Sequence, residues 1–434
     1  MKNSVTAKIL LIGLMMLVLL APTAFVAILI AGREQRRNEA VNEIHSSWSG
    51  PQTVIGPILD IPVRVSSKDD KGRVVWNTVD AVVLPDDLDV VGGVDTESRY
   101  RGIYQTVVYT SKLSITGSFA SPNLAKSGYA DGQILWDRAT VALGVSDLRG
   151  VREGSPLIWA GRKLALDAGS GPVGVSQALT TAVPRETLGA PGAKIPFSLD
   201  LNLRGSQSLY FVPVGKTTTV ALKSAWPSPG FKGQFLPDTR AVTASGFDAR
   251  WKVLHINRNL PQVSVAQNLD FNANAFGAEL MIPVDQYSSA ERAVKYEILF
   301  VFFTFLVFFA VEHFQTKRLH PLQYLLVGAG VVLFYLLLLS FSEQMPFPLA
   351  YTIAAAAIVS VVGGYAHGVF GRASVTVTVV GILSGLYAYL YTLLRLEDYA
   401  LLLGSLGLLA ALAVVMYLTR RFDWYAVEVI ESAK

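Results

Sequence analysis

Ile195-Pro196-Phe197-Ser198-Leu199-Asp200-Leu201-Asn202-Leu203 alternates apolar and polar side chains along its whole length. That is the period of a strand with one face in a core and the other in solvent. Lys112-Leu113-Ser114-Ile115-Thr116 has the same pattern. Moving outward, strand-like stretches recur from Val54 to Val65, Arg73 to Val83, Gly102 to Tyr109, Ile134 to Leu143, Leu164 to Asp167, Thr218 to Leu222, Phe247 to Leu254 and Leu280 to Val284. Turn formers punctuate them, such as Pro85-Asp86-Asp87 and Ser228-Pro229-Gly230. Only Arg36 to Trp48 and Ser288 to Lys295 read as helical, both at the borders of the region. The expectation is a large, mainly antiparallel β domain of sandwich or open-barrel type. One module, or two joined near residues 150–195, both suit the pattern.

Further out, the composition changes. Ile9 to Ala31 carries no ionised side chain and exceeds the roughly 20 residues that a helix needs to cross a bilayer. Lys2 and Lys8 precede it as in a secretory signal. The run is longer than the roughly 7–15 residues of a signal core, and Ala27-Ile28-Leu29-Ile30-Ala31-Gly32 is a poor cleavage site. An uncleaved transmembrane anchor is therefore favoured. Five more apolar runs follow the β region: Tyr296 to Val311, Leu322 to Phe341, Leu349 to Phe370, Ala373 to Leu394 and Ala400 to Leu418. Lys317, Arg318 and His320 lie in the first connection, Glu343 in the second, Arg372 in the third, Arg395 with Glu397 and Asp398 in the fourth, and Arg420 with Arg421 follow the last. Under the positive-inside rule both termini are cytoplasmic, outvoting Arg33, Arg36 and Arg37. The expected plan is an anchor over residues 1–32, a periplasmic mainly-β domain over 33–292, a bundle of five transmembrane helices over 293–420 and a cytoplasmic tail over 421–434.

Composition agrees with a membrane protein. Hydrophobic residues make up 51% and charged residues 16%, against roughly one quarter charged in soluble chains. A net charge of +4 gives no support to nucleic-acid binding. The absence of cysteine excludes disulfides, thiol nucleophiles and thiolate metal sites. His45, His255, His313, His320 and His367 form no pair at metal-ligand spacing, and neither HExxH nor G-x-S-x-G occurs. Gly169-Ser170-Gly171-Pro172-Val173-Gly174 matches G-x-G-x-x-G but lacks the helix a pyrophosphate needs, so a surface loop is favoured. No catalytic residue, cofactor or metal is expected.

Two groups stand out as candidate binding residues. Asp147 and Arg149, two apart just past a strand, either share a face toward a polar ligand or fix a turn. Trp226, Phe231 and Lys232 lie in a Pro/Gly-rich loop. Exposed, the two aromatics suit a bilayer surface, a glycan or a partner protein; folded back, they are core. In the bundle, Glu312 and His313 fall at a cytoplasmic helix end where snorkelling is cheap. No charge sits near the midplane as in secondary transporters. Gly364-x-x-x-Gly368, Gly381-x-x-x-Gly385 and Ala354 to Ala357 suit close helix packing within the bundle. The oligomeric state is left open.

Lys317-Arg318-Leu319-His320-Pro321-Leu322-Gln323-Tyr324, continuing to Ser342-Glu343, resembles the CreD family of inner-membrane proteins. So do Ser49-Gly50-Pro51-Gln52 with Gly56-Pro57, Gly102-Ile103-Tyr104, Trp226-Pro227 with Phe235-Leu236-Pro237, Ser245-Gly246-Phe247, Asp285-Gln286-Tyr287, Leu401-Leu402-Leu403-Gly404 and Asp423-Trp424-Tyr425-Ala426. The resemblance implies a Gram-negative inner-membrane protein tied to cell-envelope integrity, with relatives that respond to β-lactam and cell-wall stress. It implies no catalytic residues. The expected function is non-enzymatic envelope maintenance, the β domain binding a periplasmic protein, a cell-wall polymer or the lipid surface. Two alternatives stand beside it. One is a transport component passing a lipid or amphiphile between domain and bundle. The other is an exported glycan hydrolase using Asp147 and a second carboxyl about 5–10 Å away.

Overall fold

Alternation of the kind seen at Ile195–Leu203 generates strands throughout residues 39–283, one of the two units into which the chain divides. The other unit combines residues 1–38 with 284–434. The computed structural model describes residues 5–68, 73–124, 129–130, 133–153, 155–267, 269–282, 286–315, 317, 319–396 and 399–420.

In the β unit the strands are β1 (Gln52–Lys68), β2 (Val74–Val83), β3 (Asp87–Arg101), β4 (Tyr104–Ala120), β5 (Thr140–Val145), β6 (Val151–Glu153), β7 (Leu157–Trp159), β8 (Arg162–Leu164) and β9 (Asp167–Gly169). They continue as β10 (Ala178–Ala182), β11 (Lys194–Ser206), β12 (Ser208–Val212), β13 (Thr217–Ser224), β14 (Pro229–Gly233), β15 (Thr239–Thr243), β16 (Gly246–Leu254), β17 (Val263–Val265) and β18 (Phe276–Leu280). One sheet runs β14-β18-β12-β1-β5-β10-β9, with β2 on β1 and β17 on β2; the other runs β15-β16-β13-β3-β4-β11-β7-β8, with β6 on β11. Their inward faces share one core, to which Ile58 and Val141 contribute from the first sheet and Ile115, Leu201 and Trp251 from the second. The unit is a single sandwich. Most pairings are antiparallel, but β1 pairs with β12 and β3 with β13 in parallel.

The chain changes sheet repeatedly, and two of these crossovers, between β2 and β3 and between β12 and β13, lead into the parallel β3–β13 pair. Both crossovers meet at Arg258. Its guanidinium donates to the carbonyls of Val214 at 2.7 Å, Gly215 at 3.2 Å and Leu260, and to Gln262 Oε1 at 3.1 Å. The Gln262 amide donates onward to the carbonyls of Leu84 at 2.7 Å and Pro85. A buried guanidinium needs this many acceptors, and burial still draws its pKa down to about 10.

Several boundaries differ from the sequence reading. Gly102 to Tyr109 and Lys112 to Thr116 are one long strand, β4, entered through Gly102 at φ 59°. Ile134 to Leu143 breaks at a 3-10 turn, Trp136–Arg138, before β5. The expected strand from Leu280 to Val284 instead ends at Leu280, and Val284 lies outside the described residues. Pro229 and Gly230, read as a turn, open β14. Proline is tolerated there because β14 is an edge strand and Pro229 its first residue.

In the helical unit, α1 (Val5–Trp48) supplies its residues up to Asn38 and is followed by α2 (Gln286–Lys295), α3 (Glu297–Gln315), α4 (Pro321–Ser342), α5 (Phe347–Phe370), α6 (Ala373–Arg395) and α7 (Ala400–Thr419). Among the described residues, α1, α4, α5 and α6 are long and apolar enough to cross a membrane. The second expected span, Tyr296 to Val311, falls on α3, and the helical stretch expected at Ser288 to Lys295 is α2, which meets α3 at a 48° bend. In α7 the apolar stretch, Leu402–Val414, is shorter. A His320/Gln323 capping box with Pro321 starts α4, and Gly371 at φ 70° ends α5. Close packing does not use the glycine spacings singled out from sequence: a Cβ on Gly364, Gly368, Gly381 or Gly385 would meet nothing within 4 Å. Tight approaches lie instead at Gly328, whose Cβ would lie 2.8 Å from Phe305 Cζ, Gly363, 2.5 Å from Val380 Cγ2, and Gly407, 2.1 Å from Tyr389 Oη.

Candidate functional site

Asp147 is the N-cap of a single 3-10 turn, Leu148–Gly150, rather than a strand residue. Arg149 grips its carboxylate in a fork, Nε to Oδ1 at 3.0 Å and Nη2 to Oδ2 at 2.8 Å. Ser49 Oγ and the Gly50 amide add bonds to Oδ2 at 3.1 and 3.2 Å. These donors, Arg149 first, hold the carboxyl down at about 2 although burial opposes them. Arg149 also reaches the Ser46 carbonyl at 2.7 Å. The Gln52 amide binds Ser49 Oγ, the Asp147 carbonyl and the Arg204 carbonyl. A Cβ on Gly150 would collide with that Arg204 oxygen at 2.3 Å. Beside this knot the Trp48 ring lies under Arg204 at 4.1 Å and Arg99 at 5.0 Å. Asp147 and Arg149 thus lock residues 46–52 onto the sheets.

Trp226, Phe231 and Lys232 fall together along the β14 edge. Phe231 turns inward, edge-on to Phe247 and Trp251 at 5.7 Å each. The Trp226 indole donates to the Met281 carbonyl at 3.0 Å. Lys232 pairs with Glu279 at 2.7 Å, and Glu279 also accepts the Tyr210 hydroxyl at 2.9 Å. Three strands, β18, β12 and β1, stand between this edge and β5, which leads to Asp147, so the two groups of candidates do not converge. The G-x-G-x-x-G stretch is the β9–β10 connection, a turn closed by Val175 bonding to Pro172 and Gly171 to Val175.

Two features escaped the sequence reading. Beyond Val63, β2 is the one strand paired with β1 among the described residues, and the pair forms a two-stranded ribbon. Its consecutive residues Val74, Val75 and Trp76 are 61, 40 and 58% exposed. The break in alternation at Val74-Val75-Trp76 was the available signal. Further in on the same ribbon, Asp60 is opposite Val82 and Asp80 opposite Pro62, which puts both carboxyls on one face. Burial, with Asp80 adding to it, pushes Asp60 up to about 7.

A sequence model of the family described as Inner membrane protein CreD matches residues 4–425. The chain is also similar to the Inner membrane protein CreD of Escherichia coli (strain K12), 34% identical over 422 residues covering 94% of this chain and 91% of that one. The chain belongs to the CreD family. CreD membership together with several long apolar helices makes it a multi-pass inner-membrane protein.

Within the helical unit of this CreD chain, polar groups gather at both ends of α3. Glu312 does not snorkel. It is buried and ion-paired with Lys8 of α1, and it accepts the Tyr324 hydroxyl at 2.8 Å and the Leu319 amide at 3.1 Å. The His313 side chain lies outside the described residues. At the opposite end Glu297, which the sequence reading passed over, is fully buried and accepts from Thr23 Oγ1 at 2.6 Å. Glu343 takes the Tyr287 hydroxyl at 2.9 Å and faces Arg33 at 3.7 Å.

Proposed function

We propose that this CreD protein is a non-enzymatic component of cell-envelope maintenance under β-lactam and cell-wall stress, with its sandwich in the periplasm and both termini in the cytoplasm. The sandwich serves as a binding module. One observation carries this reading: the β1–β2 ribbon offers a contiguous apolar tip, Val74-Val75-Trp76, beside open backbone edges. Such a strand is a template for pairing with an extended segment of another protein, and exposed contiguous apolar surface marks interaction sites. The ribbon is the contact element, with a periplasmic protein as its partner ahead of a cell-wall polymer or the lipid surface. Trp226 and Lys232, at the β14 edge, form a second contact. Replacing Val74, Val75 and Trp76 together by serine tests it in a strain lacking the chromosomal copy. Survival under β-lactam should fall to the level of the deletion while the protein inserts and accumulates normally. Undiminished survival would sink the ribbon as the contact.

A second reading, handling of a lipid or amphiphile by the helical unit, is supported by an open groove of about 470 Å³ between α5 and α6. Tyr351, Tyr387 and Tyr391 stand beside small residues such as Ala355 and Ser384 in its wall.

A further inference from the structure

Glu297 is the first residue of α3 and has no exposed surface. One of its oxygens accepts from Thr23; the other, Oε2, has no hydrogen-bond partner. The hydroxyls of Tyr335 on α4 and Tyr387 on α6 are also buried without partners, and both rings are electrostatic neighbours of Glu297. Phe300, one turn along α3 from Glu297, packs on the Tyr387 ring at 6.3 Å. Buried polar atoms without partners are rare, because each gives up its hydrogen bonds to water for nothing in return. A carboxylate inside a membrane unit is costlier still and marks function by default.

Among the described residues, the neighbouring cations are engaged elsewhere. Tyr351 of α5 spends its hydroxyl on the Tyr387 carbonyl at 2.7 Å. On α2, Lys295 is paired with Glu291 at 3.0 Å and Arg292 donates to Ser289 at 3.2 Å. On α1, Lys8 is paired with Glu312 and Arg33 with Glu343. Among the described residues no cation stands within ion-pairing distance of Glu297. The donor set is all oxygen, which suits hard cations. Tyr387, an electrostatic neighbour of Glu297, also lines the open α5–α6 groove.

We propose that Glu297, with the hydroxyls of Thr23, Tyr335 and Tyr387, is an intramembrane site for a hard monovalent cation, either a proton or an alkali-metal ion, entered along the α5–α6 groove. The site stands apart from the ribbon and does not depend on what the sandwich binds. Dicyclohexylcarbodiimide distinguishes the sources, since it attacks a buried carboxyl only in its protonated form and leaves an acylurea that peptide mass spectrometry locates. The purified full-length protein is treated at a series of pH values, with and without sodium or potassium chloride. Glu297 should be labelled in acid, labelling should fall about tenfold for each pH unit above its midpoint, and Tyr335→Phe or Tyr387→Phe should move that midpoint. Protection by sodium or potassium at fixed pH identifies an alkali-metal site; indifference to both salts with the pH dependence intact identifies a proton site. Absence of labelling at every pH, or labelling that responds to neither pH nor salt, overturns the proposal. Glu297→Gln, checked for an unchanged melting profile, must abolish the signal, and Glu312→Gln must leave it in place.

Discussion

The two ends of α3 treat a buried carboxyl in opposite ways. Glu312 has a cation, a phenol and a backbone amide, while Glu297 has one threonine hydroxyl and an orphaned oxygen. The first arrangement resembles Arg258 and Asp147 in the sandwich, where each polar atom of a buried group is spent on holding chain segments together. The difference teaches how to separate a structural polar group from one built for a ligand. A structural group is saturated, and its removal costs stability. A ligand group is undersaturated, and its removal should cost little.

Mutations sharpen that contrast. Arg258→Leu should be the most damaging, by about 3 kcal/mol or more, because it strands the buried carbonyls of Val214 and Gly215 and frees the Gln262 side chain that holds the other crossover; denaturant melts of the sandwich would register it. Glu312→Leu should cost about 3 kcal/mol by leaving Lys8 uncompensated, whereas Glu297→Gln should stay within about 1 kcal/mol. Equal losses in detergent melts of these two variants would break the comparison. Asp60→Asn tests an intermediate case. The folded state raises this carboxyl to about 7, so its ionisation there opposes folding: the wild type loses stability as pH climbs from about 4 through about 7. Asn should therefore gain about 1–2 kcal/mol at alkaline pH, after screening, and nothing at acid pH. Asp147→Asn works with the opposite sign and is the smallest effect. The depressed carboxyl contributes fully above pH about 4 and loses its contribution as pH falls toward about 2. With Arg149 largely in solvent, the loss at neutral pH should be about 1 kcal/mol.

The strands and spans were legible in the sequence because periodicity reports which face is buried, and β11 follows its alternation along its length. Punctuation was less legible. Pro229 and Gly230 look like a turn in any local reading, and only the edge position of β14 makes them a strand. The glycine pairs on α5 and α6 failed for a similar reason: a spacing marks a helix face, but the neighbour decides whether that face is touched, and Gly363 rather than Gly364 meets Val380. Asp147 was legible as a turn-fixing residue beside Arg149, but not as a tie to the segment before β1, since two of the donors it gathers come from residues 49 and 50, far away in sequence. Glu297 was hidden because a carboxylate at the margin of an apolar run reads as interfacial until the bend between α2 and α3 and the approach of Thr23 enclose it.

The clasp at Arg258 and Gln262 has a consequence for assembly during synthesis. Strands β1 and β3 leave the ribosome early, yet each waits for a parallel neighbour, β12 or β13, made much later. The residues that fasten both crossovers come later still. A partly made chain therefore carries two unzipped central edges, the kind of non-local pairing that slows folding and invites aggregation. The sandwich cannot be secured piecemeal from its amino-terminal side. Its closure waits until the segment through Gln262 has arrived, and β17 and β18 join only after that.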